Sequence, residues 1–341
     1  MARTLLEVKN LRTYFFTRWG VSRAVDDVSF ALRERETLGL VGESGCGKSV
    51  TCLSILRLVP RPAGRIIGGE ILLEGEDLLQ KSEREMREIR GGQVSMILQD
   101  PLASLNPVFT VGNQLLEAIP ISHELRGHSR WDRAKEMLRL VRIPSPEMRL
   151  RNWPHELSGG MRQRVVGAIA MARQPHLLIA DEPTTSLDVT IQAQYLSLLR
   201  EIQREAGVSI IFVTHDFGIV ARMCGRVAVM YAGKIVEMAG TMDLFSNPLH
   251  PYSMALMRSV PKVEERVERL DSIEGEPPLL HALPQGCRFA PRCPSSFERC
   301  AVDMPPLAPI TDERSVSCWL YKEVLTEQHE SEKNGGCSTG L

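Results

Sequence analysis

The stretch "GESGCGKS", residues 42–49, sets two glycines and a Lys-Ser pair at the spacing of a phosphate-binding loop. Its flanks supply the context that such a loop needs. "ETLGLV" before it reads as a strand, and the residues after it read as a helix that ends before Pro60. Glycines let backbone N–H groups converge on phosphate oxygens, and the N-terminus of the following helix adds favourable partial charge. Lys48 is placed to reach β and γ phosphates, and the Ser49 hydroxyl is placed to ligate Mg²⁺. The loop predicted to touch the nucleotide is therefore Gly42, Glu43, Ser44, Gly45, Cys46, Gly47, Lys48, Ser49 and Val50.

Further along, "LLIADEP", residues 177–183, is an apolar strand ending in two carboxylates. Asp181 is positioned to hold Mg²⁺, and Glu182 to accept a proton from the attacking water or to orient it. The segment after it carries Ile191, Tyr195, Leu198, Leu199 and Ile202 on one helical face and stops at Gly207. A strand "VSIIFVTHD", a short helix and a hairpin turning at Ala232-Gly233 follow. A short strand and turn are expected over 70–80, and a region richer in helix over about 93–170. Strands alternating with helices predict an α/β core built on a largely parallel sheet.

Composition narrows the function classes. The chain has 341 residues, 43% of them hydrophobic and 24% charged, which suits a globular protein with one large domain and an appendage. Its 41 basic and 42 acidic side chains leave a net charge of −1, so no nucleic-acid partner is expected. "MARTLLEVKNLRTYFF" has no sustained apolar run, which predicts no signal peptide, and no stretch approaches 18 apolar residues. Work at a membrane would be done from outside the lipid. Eight cysteines in such a chain predict a reducing compartment, where clustered thiols bind metal more often than they pair.

Between the two nucleotide motifs lies "LSGGMRQR", residues 157–164. With it the chain resembles the ATP-binding subunits of ABC transporters. The resemblance spans residues 5–260 and implies a RecA-like ATPase core, a helical subdomain and a β-rich N-terminal part. It makes Gln99 in "LQDP" a contact to Mg²⁺ and the attacking water, and His215 in "VTHD" a contact to the γ-phosphate. It also makes Phe15 the aromatic that stacks on adenine, with Tyr14 and Phe16 as neighbours able to take that place. It further implies two ATPase subunits facing head to tail, with Ser158, Gly159, Gly160 and Asp188 of one subunit completing the ATP site of the other.

A closer resemblance, carried by "QDPLASLNP", "DEPTTSLDVTIQAQ" and "HPYSMALM", is to the dipeptide/oligopeptide/nickel importer branch. It implies ATP hydrolysis at the cytoplasmic face of the membrane, a related second ATPase in a heterodimer, two permeases and an extracytoplasmic binding protein. A nickel or other metal-chelate importer and a soluble regulatory ATPase are the alternatives. After residue 260 the reading is a linker over 261–285, a Cys-rich domain over 286–322 and a disordered tail over 323–341. Cys287, Cys293, Cys300 and Cys318 fall at C-x5-C-x6-C-x17-C, a spacing that four thiolates on one metal group would use. The branch associates that extension with a 4Fe–4S cluster. The spacing lacks the paired C-x2-C knuckles of many zinc sites, which favours the cluster and leaves zinc, or free thiols, as the alternatives.

Overall fold

The computed structural model describes residues 3–100, 104–120, 129–185, 187–259 and 273–321. The strands are β1 (Thr4–Thr17), β2 (Gly20–Arg33), β3 (Thr37–Val41), β4 (Gly64–Leu73), β5 (Glu76–Asp77) and β6 (Val94–Ile97), followed by β7 (Leu177–Asp181), β8 (Ser209–Thr214), β9 (Arg226–Tyr231), β10 (Lys234–Gly240), β11 (Ala308–Thr311) and β12 (Arg314–Val316). They form two sheets. The first is antiparallel in the order β2-β1-β4-β5, and the second runs β11-β12-β10-β9-β3-β8-β7-β6.

The centre of the second sheet is parallel from β9 through β3, β8 and β7 to β6. Every residue of β3, β7 and β8 is buried, as expected of parallel strands covered on both faces. On one side the strands pack against the helices Gly159–Met171 and Val189–Ala206 through Val165, Ala168, Tyr195 and Leu199. On the other side Leu38, Leu40, Ile211 and Val213 meet the antiparallel sheet and the helix Lys48–Ile55 through Leu6, Val25, Cys52 and Ile55. Helix Val189–Ala206 starts at Asp188, whose carboxylate accepts from the N–H groups of Thr190 and Ile191 at 3.1 and 3.0 Å. Such a cap stabilises a helix by about 1 kcal/mol. It buries Tyr195, Leu198, Leu199 and Ile202, the face that the sequence marks.

Two sequence expectations are corrected here. The strand expected over 70–80 starts at Gly64, because Arg65 and Ile66 already pair with Tyr14 and Thr13 of β1. The region read as helix-rich from about residue 93 opens with β6, the outermost parallel strand. Four residues are too few to show periodicity. The hairpin turns where expected, with Ala232 at φ 44° and Gly233 at φ 87°, the two positive angles that a two-residue hairpin loop needs.

The Cys-bearing segment does not stand apart. β12 pairs with β10 in the main sheet, and β11 pairs with β12. Phe289 is buried in the main core. The segment gathers only a small apolar cluster of its own, Cys300, Ala308 and Trp319, and otherwise uses the core of its neighbour. The tie is reinforced at Glu237 of β10, whose buried carboxylate accepts from Leu249 N–H, His250 N–H and the Arg314 guanidinium at 2.9, 2.8 and 3.1 Å. The linker expected over 261–285 is described only from residue 273, and the tail expected over 323–341 lies outside the described residues. No helix among the described residues is long and apolar enough to cross a membrane.

His250 caps the helix Pro251–Arg258, its Nδ1 accepting from Tyr252 N–H at 3.0 Å. Burial pushes its pKa down from 6.5 to about 3. The unfolded chain therefore takes up this proton below its ordinary pKa, and the folded chain does so only near 3. The stability this contributes is complete above pH ~6.5 and is lost as pH falls towards 3, by about 1.4 kcal/mol per unit. Urea titrations at pH 7 and pH 5 should show a fall in stability of roughly 2 kcal/mol from this group. His250→Asn, which keeps an N-cap acceptor, should remove that part of the fall. An equally steep fall in the variant would refute the assignment.

Candidate active site

Four neighbouring parallel strands deliver the site at their carboxyl ends, where open α/β sheets bind ligands. The loop Gly42–Lys48 follows β3, Asp181 and Glu182 end β7, His215 follows β8, and Gln99 lies two residues beyond β6. Gly42 (φ 148°) and Gly47 (φ 111°) have to be glycine. A Cβ on the first would stand 2.2 Å from the Met230 carbonyl oxygen, and on the second 2.3 Å from that of Ala24. Ser44 and Gly45 form the exposed crest, while Cys46 and Gly47 are buried. Lys48 is only 5% exposed and spans the loop, its ammonium donating to the carbonyls of Gly42 and Glu43 at 2.7 and 3.0 Å. Val50 packs at the margin of the core beneath.

The Ser49 hydroxyl donates to Asp181 Oδ1 at 3.1 Å. Burial pushes the Asp181 carboxyl above its ordinary pKa, with Glu182 adding to the rise and Ser49 and Lys48 opposing it. A buried carboxylate beside a hydroxyl is a fitting pair for Mg²⁺, which is held by one or two protein groups and completed by phosphate and water.

Glu182 gathers the remaining groups. Its Oε2 accepts from Gln99 Nε2 and from the Thr185 hydroxyl, each at 3.1 Å, and its Oε1 lies 3.3 Å from His215 Nδ1. Its backbone is in the left-handed region at φ 45°, a conformation that costs a non-glycine residue about 1 kcal/mol or more and recurs at functional sites. Thr185 went unmarked in the sequence, although "DEPTT" keeps it three residues from Glu182.

Phe15 lies on the face of β1 that meets the helix Lys48–Ile55. The Thr13 hydroxyl pairs with Ser54 of that helix at 2.8 Å, and strand alternation puts Phe15 on the same side, against Gly64. Its two neighbours are engaged elsewhere. Tyr14 donates to Asp26 Oδ1 at 2.6 Å, and Phe16, 43% exposed, lies under Arg65.

Ser158, Gly159 and Gly160 are not joined to this group by any hydrogen bond among the described residues. Ser158 caps the helix Gly159–Met171, its hydroxyl accepting from Met161 N–H at 3.4 Å. A Cβ on Gly160 would stand 2.5 Å from Ile191 Cγ2, whereas one on Gly159 would meet nothing within 4 Å. Gly160 is thus fixed by packing inside the chain. Gly159 is not. Asp188 is turned to its own helix, as described above, and Ser186 lies outside the described residues.

Cys287, Cys293, Cys300 and Cys318 line one small apolar cavity, with His250, Phe289 and Trp319 also in its wall. All four are unpaired thiols. Burial pushes up the thiols of Cys287 and Cys293, and takes that of Cys318 to about 11; the nearby Cys300 thiol adds to each rise. The backbone N–H groups of Phe289 and Ala290 serve the Cys287 sulfur, that of Ser295 serves Cys293, and that of Leu320 serves Cys318. Among the described residues, however, no three His, Cys, Asp or Glu side chains close on one ion-sized point. This geometry supports neither the expected 4Fe–4S cluster nor its zinc alternative.

Known proteins share both halves of this architecture. Residues 25–185 match the family model described as ABC transporter, and residues 236–300 match that of the oligopeptide/dipeptide transporter C-terminal region. A probable peptide ABC transporter ATP-binding protein from Sinorhizobium fredii is 51% identical, over 95% of this chain and 97% of that protein. The oligopeptide transport ATP-binding protein AppD of Bacillus subtilis is 47% identical, over 95% of this chain and 99% of its own length. The dipeptide transport ATP-binding protein DppD of the same species is 48% identical, over 94% of this chain and 95% of its own. Among solved structures, the post-hydrolysis dimer of the ATP-binding cassette MJ0796 with ADP and Pi is similar at a TM-score of 0.60 and 25% identity, covering 69% of this chain and 98% of that one. The chain belongs to the ABC transporter ATP-binding family, in the branch that carries the oligopeptide/dipeptide C-terminal region.

Proposed function

We propose that this chain hydrolyses ATP to drive peptide import, as one ATPase subunit of a complex with two permeases and an extracytoplasmic binding protein at the cytoplasmic face of the membrane. The observation that carries the reading is the grouping of Gln99, Thr185 and His215 around Glu182, one residue beyond the Ser49–Asp181 pair. The names of the relatives favour peptides over nickel chelates, and a transport complex over a free-standing regulator.

In this reading the loop Gly42–Val50 wraps the phosphates, Lys48 moves from its carbonyl partners to the β and γ phosphates, and Phe15 supports the adenine. Mg²⁺, when bound, neutralises charge between the phosphates, and Ser49 and Asp181 would hold it. Glu182 orients a water and accepts its proton as the oxygen bonds to the γ-phosphorus. The bond to the β-phosphate oxygen breaks, leaving ADP and phosphate. His215 contacts the γ-phosphate, and Gln99 would contact the Mg²⁺ and the attacking water. Ser158, Gly159 and Gly160 present a helix N-terminus to the ATP of a second, related subunit, giving a heterodimer, with Asp188 close by.

The four cysteines are assigned to a 4Fe–4S cluster rather than to zinc. The four cysteines line one cavity, which suits a single shared group, and their spacing lacks the paired C-x2-C knuckles of many zinc sites. When bound, a cluster would supply the positive charge that lets four mutually repelling thiolates coexist. Anaerobic purification should yield about four irons and four sulfides per chain with a band near ~400 nm, and serine substitutions at the cysteines should abolish both. Zinc in place of iron, or no metal, would refute this part and leave the ATPase standing. For the function itself, co-expression with the permeases should give a membrane complex that takes up labelled peptide only with ATP. A chain that never copurifies with permeases would count against it.

A further inference from the structure

We propose that Arg292 is a positioning residue for the phosphate loop, acting on bound ATP through Glu43, so that the cysteine-bearing segment forms part of the nucleotide site. The inference rests on the nucleotide-site reading above. Arg292 immediately precedes Cys293 in the chain, far from the loop in sequence. Yet its Nη1 donates to Glu43 Oε2 at 2.8 Å and its Nη2 to Glu43 Oε1 at 3.1 Å, a two-pronged pair that fixes direction as well as distance. The guanidinium is anchored from behind by the carbonyls of Glu274 and Ile273 at 2.9 and 3.2 Å, and the Arg292 side chain is only 5% exposed. It does not swing free.

Glu43 is gripped on its backbone as well. Its N–H donates to the Tyr252 hydroxyl at 2.9 Å, and the Tyr252 ring packs 5.4 Å from that of Phe289, three residues before Arg292. Its carbonyl accepts from the Lys48 ammonium at 3.0 Å. The same residue thus joins the C-terminal segment to the lysine meant for the phosphates. Charge supplies the second half of the argument. Glu43 puts a carboxylate into a loop that has to receive a triphosphate, and like charges at that range oppose binding. Arg292 neutralises it without entering the phosphate site. Removing Arg292 leaves the carboxylate uncompensated and the loop unclamped.

The experiment uses the full-length chain, with a fluorescent ATP analogue to report affinity and ATP and ADP as competitors. Arg292→Ala is expected to weaken ATP on the order of tenfold, and ADP, with one negative charge fewer, by less. In the assembled complex, KM should rise more than kcat falls. Glu43→Gln in the Arg292→Ala background should restore most of the lost affinity, because it removes the stranded charge. Arg292→Lys, which keeps the charge but not the fork, should fall between wild type and Arg292→Ala and serves if the alanine variant does not fold. Wild-type affinity in Arg292→Ala with only a lower melting temperature would overturn the proposal, as would a double variant no better than the single. Lys48→Ala is the control. If it binds ATP normally, the nucleotide-site reading fails and this inference fails with it.

Discussion

Glu182→Gln is expected to keep ATP binding and to lower turnover by at least ~100-fold. The amide is nearly isosteric, so the contacts of Glu182 with Gln99 and Thr185 have a counterpart in the variant. What it loses is the ability to accept the proton of the attacking water. Lys48, Ser49 and Asp181, which face the phosphates and Mg²⁺ in this account, are untouched, so affinity should stay close to wild type. The variant should therefore hold ATP, and the ATP-bound dimer should accumulate. Nucleotide binding and single-turnover hydrolysis on the same preparation check this. Turnover within a few-fold of wild type would remove Glu182 as the base.

Gly159→Asp is expected to abolish turnover of the complex, by ~100-fold or more, while leaving the isolated chain folded and able to bind ATP. The argument rests on the contrast between two adjacent glycines. A side chain at Gly160 collides with Ile191, whereas one at Gly159 meets nothing within 4 Å and projects from an exposed helix N-terminus. A carboxylate there is compatible with its own helix, since negative charge is favourable at that end. It would also occupy the place meant for the other subunit's γ-phosphate and repel it. Melting temperature and single-chain affinity should be unchanged, with ATP-driven association lost. Normal association in this variant would remove Ser158–Gly160 from the partner site.

The parts of this fold that were legible in the sequence share a physical property: their determinants are local. The phosphate loop needs glycine at Gly42 and Gly47 because other backbone passes close to both, and that need is written in one short stretch. The helix Val189–Ala206 shows its buried face as a period, and the hairpin at Ala232-Gly233 shows its turn as a composition. What stayed hidden is pairing across the chain. Arg292 meets Glu43 across 249 positions and Arg288 meets Asp26 across 262. Nothing local marks either arginine apart from its place beside a cysteine. The addition of β11 and β12 to the main sheet was equally unreadable, because strands of four and three residues carry no period. The strain at Glu182 belongs to the same class. Its φ of 45° follows from the turn that β7 makes beneath the site, not from the residue itself.

The central claim is that this ATPase is driven by peptide delivered to its complex. The most direct measurement is ATP hydrolysis by the reconstituted complex in proteoliposomes, with and without binding protein loaded with peptide. The account predicts hydrolysis that rises with loaded binding protein and disappears when this subunit carries Glu182→Gln. Hydrolysis that ignores peptide, or that rises only with a nickel chelate, would contradict it.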